Sequence, residues 1–418
     1  MKTRVFCWIV AIVMLTLLVV PLSLADDAKP FAGTKIRFAT FQTGAVEEDW
    51  VNVQFPRFLE ETGIEVEHVF FNQADTISTL MTWTAAGTAP DVAMLSAFYQ
   101  NALAAQGLLL DLDAYIAESQ PDYPLERFFP KLLNAYKYKG VQYALPSDMD
   151  LGLVWYNKDM FDAASVAYPS NDWTWDDYYA TAKALTSGEG PGKIFGSEMP
   201  PIQHFLWQSG GDYFSADGLS CTLDIPESKE AYEFIVGLMN EGIVPRERLS
   251  EGGFNAGKAA MALGSGPWYA YYMLNDVDFS WDVAAMPQHT NKATTAYGSS
   301  FAILKTSQKV DAAFEFISWF LSDEQQFIRA KQFCWFPPSS TVLDYPGFEG
   351  EDVLNMNAEQ KQLVMDEAEF GRAPLVVLNQ NEINQITTRE NTLIWSGEKS
   401  IDDGVAAMVA EINPLLVP

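Results

Sequence analysis

Histidine and cysteine are scarce in this chain, three of each in 418 residues. His68, His204 and His289 stand far apart, and neither a C-x-x-C nor an H-E-x-x-H spacing occurs, so the sequence offers no metal site and implies no cofactor. A G-x-S-x-G or similar nucleophile–base motif is also missing. Basic residues are outnumbered, 26 Lys and Arg against 55 Asp and Glu, for a formal net charge of −29. A surface that acidic repels nucleic acid and anionic lipid, which excludes those partners. The acidity itself reads as a solvated shell that keeps the protein soluble. There is no internal repeat, low-complexity tract or long Pro/Ser linker. A chain this long, nearly half apolar, calls for two cores. Without a linker between them, the backbone is expected to pass between two lobes more than once.

The long apolar run is confined to the start. Lys2 and Arg4 precede residues 5–20, broken only by Thr16, and Pro21 and Ser23-Leu24-Ala25 follow. Basic, then apolar, then small is the order of a secretory signal, here cleaved before Asp26. A retained anchor is the alternative, but the run falls short of the roughly 18 apolar residues of a spanning helix. Cys7 lies inside the run, which argues against a lipid-anchored cysteine at the cleavage point. The mature protein, residues 26–418, is therefore expected outside the cytoplasm, in a periplasm. Cys221 and Cys334 remain, and an oxidising compartment permits them to pair.

Residues 35–41, KIRFATF, alternate as a strand does, and a helical pattern follows through Val46, Trp50 and Leu59 to Gly63. Residues 64–71 read as a second strand, 76–86 as a helix stopped by Gly87, and 91–96, DVAMLS, as a short apolar strand. That alternation implies right-handed crossovers and a parallel sheet. In such sheets the ligand crevice lies beyond the carboxyl ends of the strands. The loop Gln42-Thr43-Gly44 is thereby brought towards Ser96 and Tyr99. Thr174, Ser228 and Ser322 read as helix caps, the last within a capping box that ends at Gln325. The stripe Val310, Phe314, Ile317 and Leu321 reads as a core face.

A set of short stretches then recurs in a fixed order: APDV at 89–92, YKGVQYALP at 138–146, WYNKDMF at 155–161, WTW at 173–175, SGG at 209–211, FNAGKAAM at 254–261, GPW at 266–268, AMP at 285–287 and the helix from AAFEF at 312–316 to Gln325. In these the chain resembles the extracytoplasmic solute-binding proteins of ATP-binding-cassette importers, in particular the carbohydrate-binding group that includes maltose-binding protein. The resemblance implies an α/β, two-lobed periplasmic-binding-protein fold, each lobe a mainly parallel sheet flanked by helices, with the ligand cleft between them. Lobe 1 would be 26–147 and 299–345, and lobe 2 would be 148–298 and 346–418. Cys334 and Cys221 would then sit in different lobes, where a bond would pin the trap, so two free thiols are expected.

The resemblance also implies the solute class and its contacts. A sugar ring has a C–H face and a rim of hydroxyls, so it suits flat aromatic surfaces ringed by donors and acceptors. Trp268, after the Gly-Pro turn, and Trp207 are the stacking candidates. Asp148 and Asp150, two apart near the hinge, would accept from neighbouring hydroxyls, and the resemblance favours Asp150. Tyr297 and Arg372 are further contacts, joined by Gln42, Thr43, Ser96 and Tyr99 from topology. The loop 42–44 carries no acidic–basic pair, and Asn384 stands about where maltose-binding protein has a tryptophan. These departures count against a maltodextrin ligand without leaving the carbohydrate class. The expected protein is a monomer that captures a sugar or oligosaccharide by hinge closure, catalyses nothing, and hands the solute to a membrane permease. A polyamine-binding protein of the same fold and a secreted glycan-cleaving enzyme are the rival readings.

Overall fold

The computed structural model describes residues 29–249, 252–275, 277–350, 353–377 and 379–416, without the side chains of 265, 268 and 272–275. The expected leader at 1–25 lies outside the described residues. The first strand, Thr34–Thr40, pairs in parallel with Ile64–Phe70 and with Val92–Ser96. Helical segments cross between them, as parallel pairing requires. The crossover expected at 46–59 is interrupted by a π-helical turn, Trp50–Gln54, between helices Ala45–Asp49 and Phe55–Thr62. Pro56, with no N–H to donate, stands just past that turn. The second helix ends where Gly63 takes φ +84°, a left-handed cap that glycine adopts without strain.

Two five-stranded sheets form among the described residues, beside a two-stranded pair of Lys137–Tyr138 with Val141–Gln142. In the first the order is Ile64–Phe70, Thr34–Thr40, Val92–Ser96, Ser299–Ile303, Leu145–Pro146. The second runs Gly371–Arg372, Thr294–Tyr297, Asp150–Asn157, Met261–Ser265, with Trp281–Ala284 also paired to Asp150–Asn157. The expectation of two mainly parallel sheets needs correcting. Ser299–Ile303 is antiparallel to both its neighbours, and in the second sheet only Thr294–Tyr297 with Gly371–Arg372 is parallel. The reason is the route of the chain. A strand that returns from the other sheet enters from the opposite end and needs no helical crossover.

Apolar burial follows the same division. Phe38, Trp50, Phe55, Phe316 and Phe320 form one cluster, with the Phe38 and Phe316 rings 4.8 Å apart. Tyr178, Phe205, Tyr232 and Ile235 belong to another. A third runs beneath the crossing, from Ala93 and Leu95 to Leu151, Trp155 and Phe336. Each such side chain, fully buried, contributes about 1.5–3 kcal/mol. The stripe Phe314, Ile317, Leu321 is buried as its spacing required. Thr174 caps its helix and forms a capping box with Asp177, whereas at Ser322 only half of the expected box forms, Ser322 Oγ accepting from the Gln325 N–H. Ser228 is not a cap. Its helix begins at Pro226, a residue suited to a first turn, and the buried Ser228 hydroxyl donates to the Thr222 carbonyl at 2.9 Å. Cys221 and Cys334 are free and buried.

The two sheets are joined at adjacent crossings, 147–149 and Gly298. The Ser147 N–H donates to the Ser299 carbonyl at 2.9 Å, and the Ser299 N–H donates to Asp148 Oδ1 at 3.0 Å. Gly298 is required here by close approach: a Cβ would lie 2.4 Å from Asp148 Oδ1 and 2.6 Å from the Asp148 carbonyl oxygen. Gly298→Ala should therefore force the crossings apart and cost about 1–3 kcal/mol, read as a lower midpoint in urea unfolding.

Candidate functional site

A cavity of about 560 Å³ opens between the sheets at the crossings. The carboxyl ends of the first sheet's strands supply Phe41, Gln42, Thr43 and Ser96. Ser96 Oγ accepts from the Phe98 N–H at 3.5 Å and so starts the helix Ala97–Ala105, which places Phe98 at the cavity wall. Across from these stand Pro267 and Tyr271 of the helix Gly266–Asn275, and Phe333 and Trp335 close another side. The crossings themselves contribute Asp148, Asp150, Tyr297 and Ser299. The Phe98 and Tyr297 rings meet edge to face, with centroids 5.3 Å apart.

The polar groups at the crossing are held firmly. Asp148 accepts from the Ser299 N–H at 3.0 Å and from Ser147 Oγ at 2.7 Å. Burial pushes its carboxyl above the usual range, and these bonds and the Arg329 charge oppose that rise. Arg329 is itself buried, donates to the Phe320 and Gln325 carbonyls, and lies 5.8 Å from the Trp335 ring centre. Burial draws its guanidinium down to about 10, against the Asp148 charge. Tyr297 is raised above its ordinary value by burial and then by the Asp150 charge.

A second chamber of about 280 Å³ continues from the first, and Phe98, Asp150 and Tyr297 wall both. Its far side is one face of the helix Gln380–Ser396, namely Gln380, Ile383, Asn384 and Thr387. His204 and Gln203, early in the helix Ile202–Ser209, and Asp212 also line it, with the apolar Pro201, Phe214 and Leu375 among the rest. The His204 ring seats against the backbone at Gly152, where a Cβ would come within 2.7 Å of it. Its Nε2 lies 3.1 Å from Thr295 Oγ1.

Of the residues singled out from sequence, Gln42, Thr43, Ser96, Asp148, Asp150 and Tyr297 come together on the larger cavity, and Asn384 lines the smaller. Tyr99 lines neither. It packs against the core under the crossing, because one step along a helix turns a side chain by about 100°. Phe98 faces the cavity instead. Trp207 is 1% exposed, its Nε1 donating to Asp212 Oδ2 at 2.8 Å, so it has no free face for stacking. Arg372 lies over that indole at 4.7 Å and donates to the same Asp212 oxygen at 3.0 Å, which takes it out of the cavity lining. The Trp268 ring lies outside the described residues. Phe41, Phe98, Tyr271, Trp335 and Asp212 were missed. Phe41 ends the strand-like run KIRFATF, and Trp335 stands in the dense Phe333-Cys334-Trp335-Phe336 tract before two prolines, so both left a visible signal. Among the described residues no group of three or more His, Cys, Asp or Glu is placed to hold a metal ion.

His204 makes the chamber wall sensitive to acid. Burial lowers it from 6.5 to about 4. The unfolded chain binds that proton as pH falls through 6.5, and the folded chain does not until near 4, so stability declines across that window. Between pH 7 and pH 5 the loss from this group is about 2 kcal/mol. His204→Gln should remove it, seen as a smaller difference between urea-unfolding free energies at the two pH values than in the unaltered protein.

The family model of bacterial extracellular solute-binding proteins matches residues 32–327. The maltotriose-binding protein of Pyrococcus abyssi is 23% identical over 303 residues, which are 69% of this chain and 64% of that protein. An ABC substrate-binding protein from Listeria monocytogenes, solved in complex with cycloalternan, superposes with a TM-score of 0.77 at 26% identity, covering 91% of this chain and 98% of its own. The sugar-binding protein MalE from Xanthomonas citri gives 0.78 at 21% identity, with 92% and 97% covered. With the family model spanning more than half its length, and with that two-lobed fold, this chain belongs to the bacterial extracellular solute-binding proteins.

Proposed function

We propose that this protein captures a sugar or oligosaccharide outside the cytoplasm by closing two lobes over it, and delivers it to an ATP-binding-cassette permease. The observation that carries the reading is the larger cavity. Six aromatic side chains, Phe41, Phe98, Tyr271, Tyr297, Phe333 and Trp335, and the carboxylates Asp148 and Asp150 meet there at the crossing of the sheets. Rings present a surface for C–H faces, and the carboxylates accept from hydroxyls. The names of the Pyrococcus and Xanthomonas relatives, and the cycloalternan held by the Listeria protein, support a carbohydrate. Membership of a solute-binding family makes the chain a binding protein and not the glycan-cleaving enzyme of the rival reading.

In this reading lobe 1 is 26–147 with 299–345, and lobe 2 is 148–298 with 346–418. The leader ends before Asp26, the mature protein is periplasmic, and it works as a monomer. The open form exposes half a site on each lobe. The solute bridges them and populates the closed form because only that form makes both sets of contacts. Gln42, Thr43, Ser96, Asp148, Asp150 and Tyr297 are the proposed polar and ring contacts, with Trp335 as an aromatic platform held from behind by Arg329.

Calorimetry with a panel of mono- and oligosaccharides, set against putrescine and spermidine, tests the reading. Heat is expected from a sugar, with recovery of that sugar intact by mass spectrometry, and heat from the amines alone would overturn it. A ring that covers even a third of the roughly 150–250 Å² of an aromatic contributes about 1–2 kcal/mol. Trp335→Ala should therefore weaken the sugar that binds by about tenfold, with the fold preserved by circular dichroism.

A further inference from the structure

Arg329 lines neither cavity, yet it acts on two residues that line the larger one, Trp335 and Asp148. It stands in the helix Asp323–Phe333 and is 3% exposed. Its Nη2 donates to the Phe320 carbonyl at 2.8 Å, and its Nε donates to the Gln325 carbonyl at 3.3 Å. The first of these bonds caps the end of the helix Val310–Phe320. Capping alone does not call for a guanidinium in the interior, where a charge is costly to desolvate. It also leaves Nη1 without a role, buried with no hydrogen-bond partner among the described residues.

The surroundings of the guanidinium supply a reason. Its helix ends at Cys334, whose φ of +54° is left-handed, and the turn brings Trp335 back until its ring centre is 5.8 Å from the guanidinium carbon. That is within reach of a cation–π attraction. Trp50 meets the same ring edge to face, with centroids 6.3 Å apart. Trp335 is half-buried and lines the cavity, so a ring offered to solute is held from within by a cation and an indole. The next residue ties this segment to the crossing, since the Phe336 carbonyl accepts from the Met149 N–H at 2.8 Å, beside Asp148. There the Arg329 charge acts on the buried Asp148 carboxyl and favours its anion. The other titratable groups about that carboxyl, Tyr136, Asp150 and Tyr297, bring no positive charge.

From these observations we infer that Arg329 is a positioning residue for solute capture: one buried cation, itself outside the cavity lining, fixes the Trp335 platform and the Asp148 acceptor together. The capture role rests on the sugar reading above, whereas the placement of ring and carboxyl is a property of the unliganded protein. Solute affinity then depends on a side chain that the solute does not touch.

The test begins on the full mature chain without solute. Asp148 is followed by carbon-13 NMR of its carboxyl, assigned by the signal lost in Asp148→Asn, and Trp335 by fluorine-19 NMR of protein labelled with 5-fluorotryptophan, assigned by the signal lost in Trp335→Phe. In Arg329→Met the Asp148 midpoint should rise by about one pH unit or more, because the cation that favours the anion is gone, and the Trp335 resonance should shift. Arg329→Lys keeps the charge and loses the flat fork. Its Asp148 midpoint should stay near that of the unaltered protein while the Trp335 resonance still shifts, a split that a helix cap alone would not produce. It keeps the test open if the methionine variant does not fold. An Asp148 midpoint unmoved in Arg329→Met, one that rises in Arg329→Lys as well, or a Trp335 resonance unmoved in Arg329→Lys would each overturn the inference. Calorimetry with the sugar panel above, maltotriose and arabinotriose included, then reads capture. For a sugar that binds, the folded Arg329 variant combined with Trp335→Ala should lose less affinity than the product of the two separate losses, by about threefold or more. Losses that simply multiply would overturn the role in capture. No heat from any sugar is a different result: it overturns the sugar reading and the capture role with it, while the two resonances still decide the placement.

Discussion

The arrangement depends on one carboxylate at the point where the chain passes between its sheets. Asp148 takes the Ser299 N–H on one oxygen and the Ser147 hydroxyl on the other. Both crossings are thereby tied to a single group that also faces the larger cavity. Gly298 makes the approach possible, since any side chain there would occupy the space of the carboxylate. A buried charge survives only when it is paired or hydrogen-bonded. Two hydrogen bonds and the Arg329 field supply that here, at the cost of holding a guanidinium in the interior. The result is a crossing whose buried carboxylate is held by the protein on both oxygens.

Around this point the apolar and polar requirements are kept apart. Large rings that stabilise the fold sit in sealed clusters, as Phe38 and Trp50 do in the first and Tyr178 and Phe205 in the second. Those at the cavity are spared that sealing: Trp335 is half-buried and Tyr271 is exposed. Trp207 shows the opposite assignment. Its indole is fixed by Asp212 below and Arg372 above, so a residue type suited to gripping sugars serves to brace the chamber wall.

Much of the first sheet was legible because its signal is local. Alternation in residues 35–41, the continuous apolar run before Ser96 and the glycine stops at 63 and 87 each act through neighbours in sequence. The rule that ligands meet the carboxyl ends of parallel strands then placed Gln42, Thr43 and Ser96 at the cavity. The second sheet was harder to read, since its strands pair antiparallel across long separations and its longest, Asp150–Asn157, is buried almost throughout with no alternation to betray it. Tyr99 and Trp207 were misplaced for a related reason. Composition marks a residue as able to stack, but which side of a helix faces the cleft depends on what the other sides pack against.

Taken alone, the sequence determined the local geometry and the class of chemistry: strands and caps set by adjacent residues, an acidic chain without metal-binding spacing, and carboxylates two apart before a long strand. Tertiary structure decided which groups meet. Phe98 meets Tyr297, and Asn384 lines the same chamber as His204, although each pair is separated by well over a hundred residues. Contacts across such distances arise from how sheets and helices pack, and packing is a property of the whole chain at once.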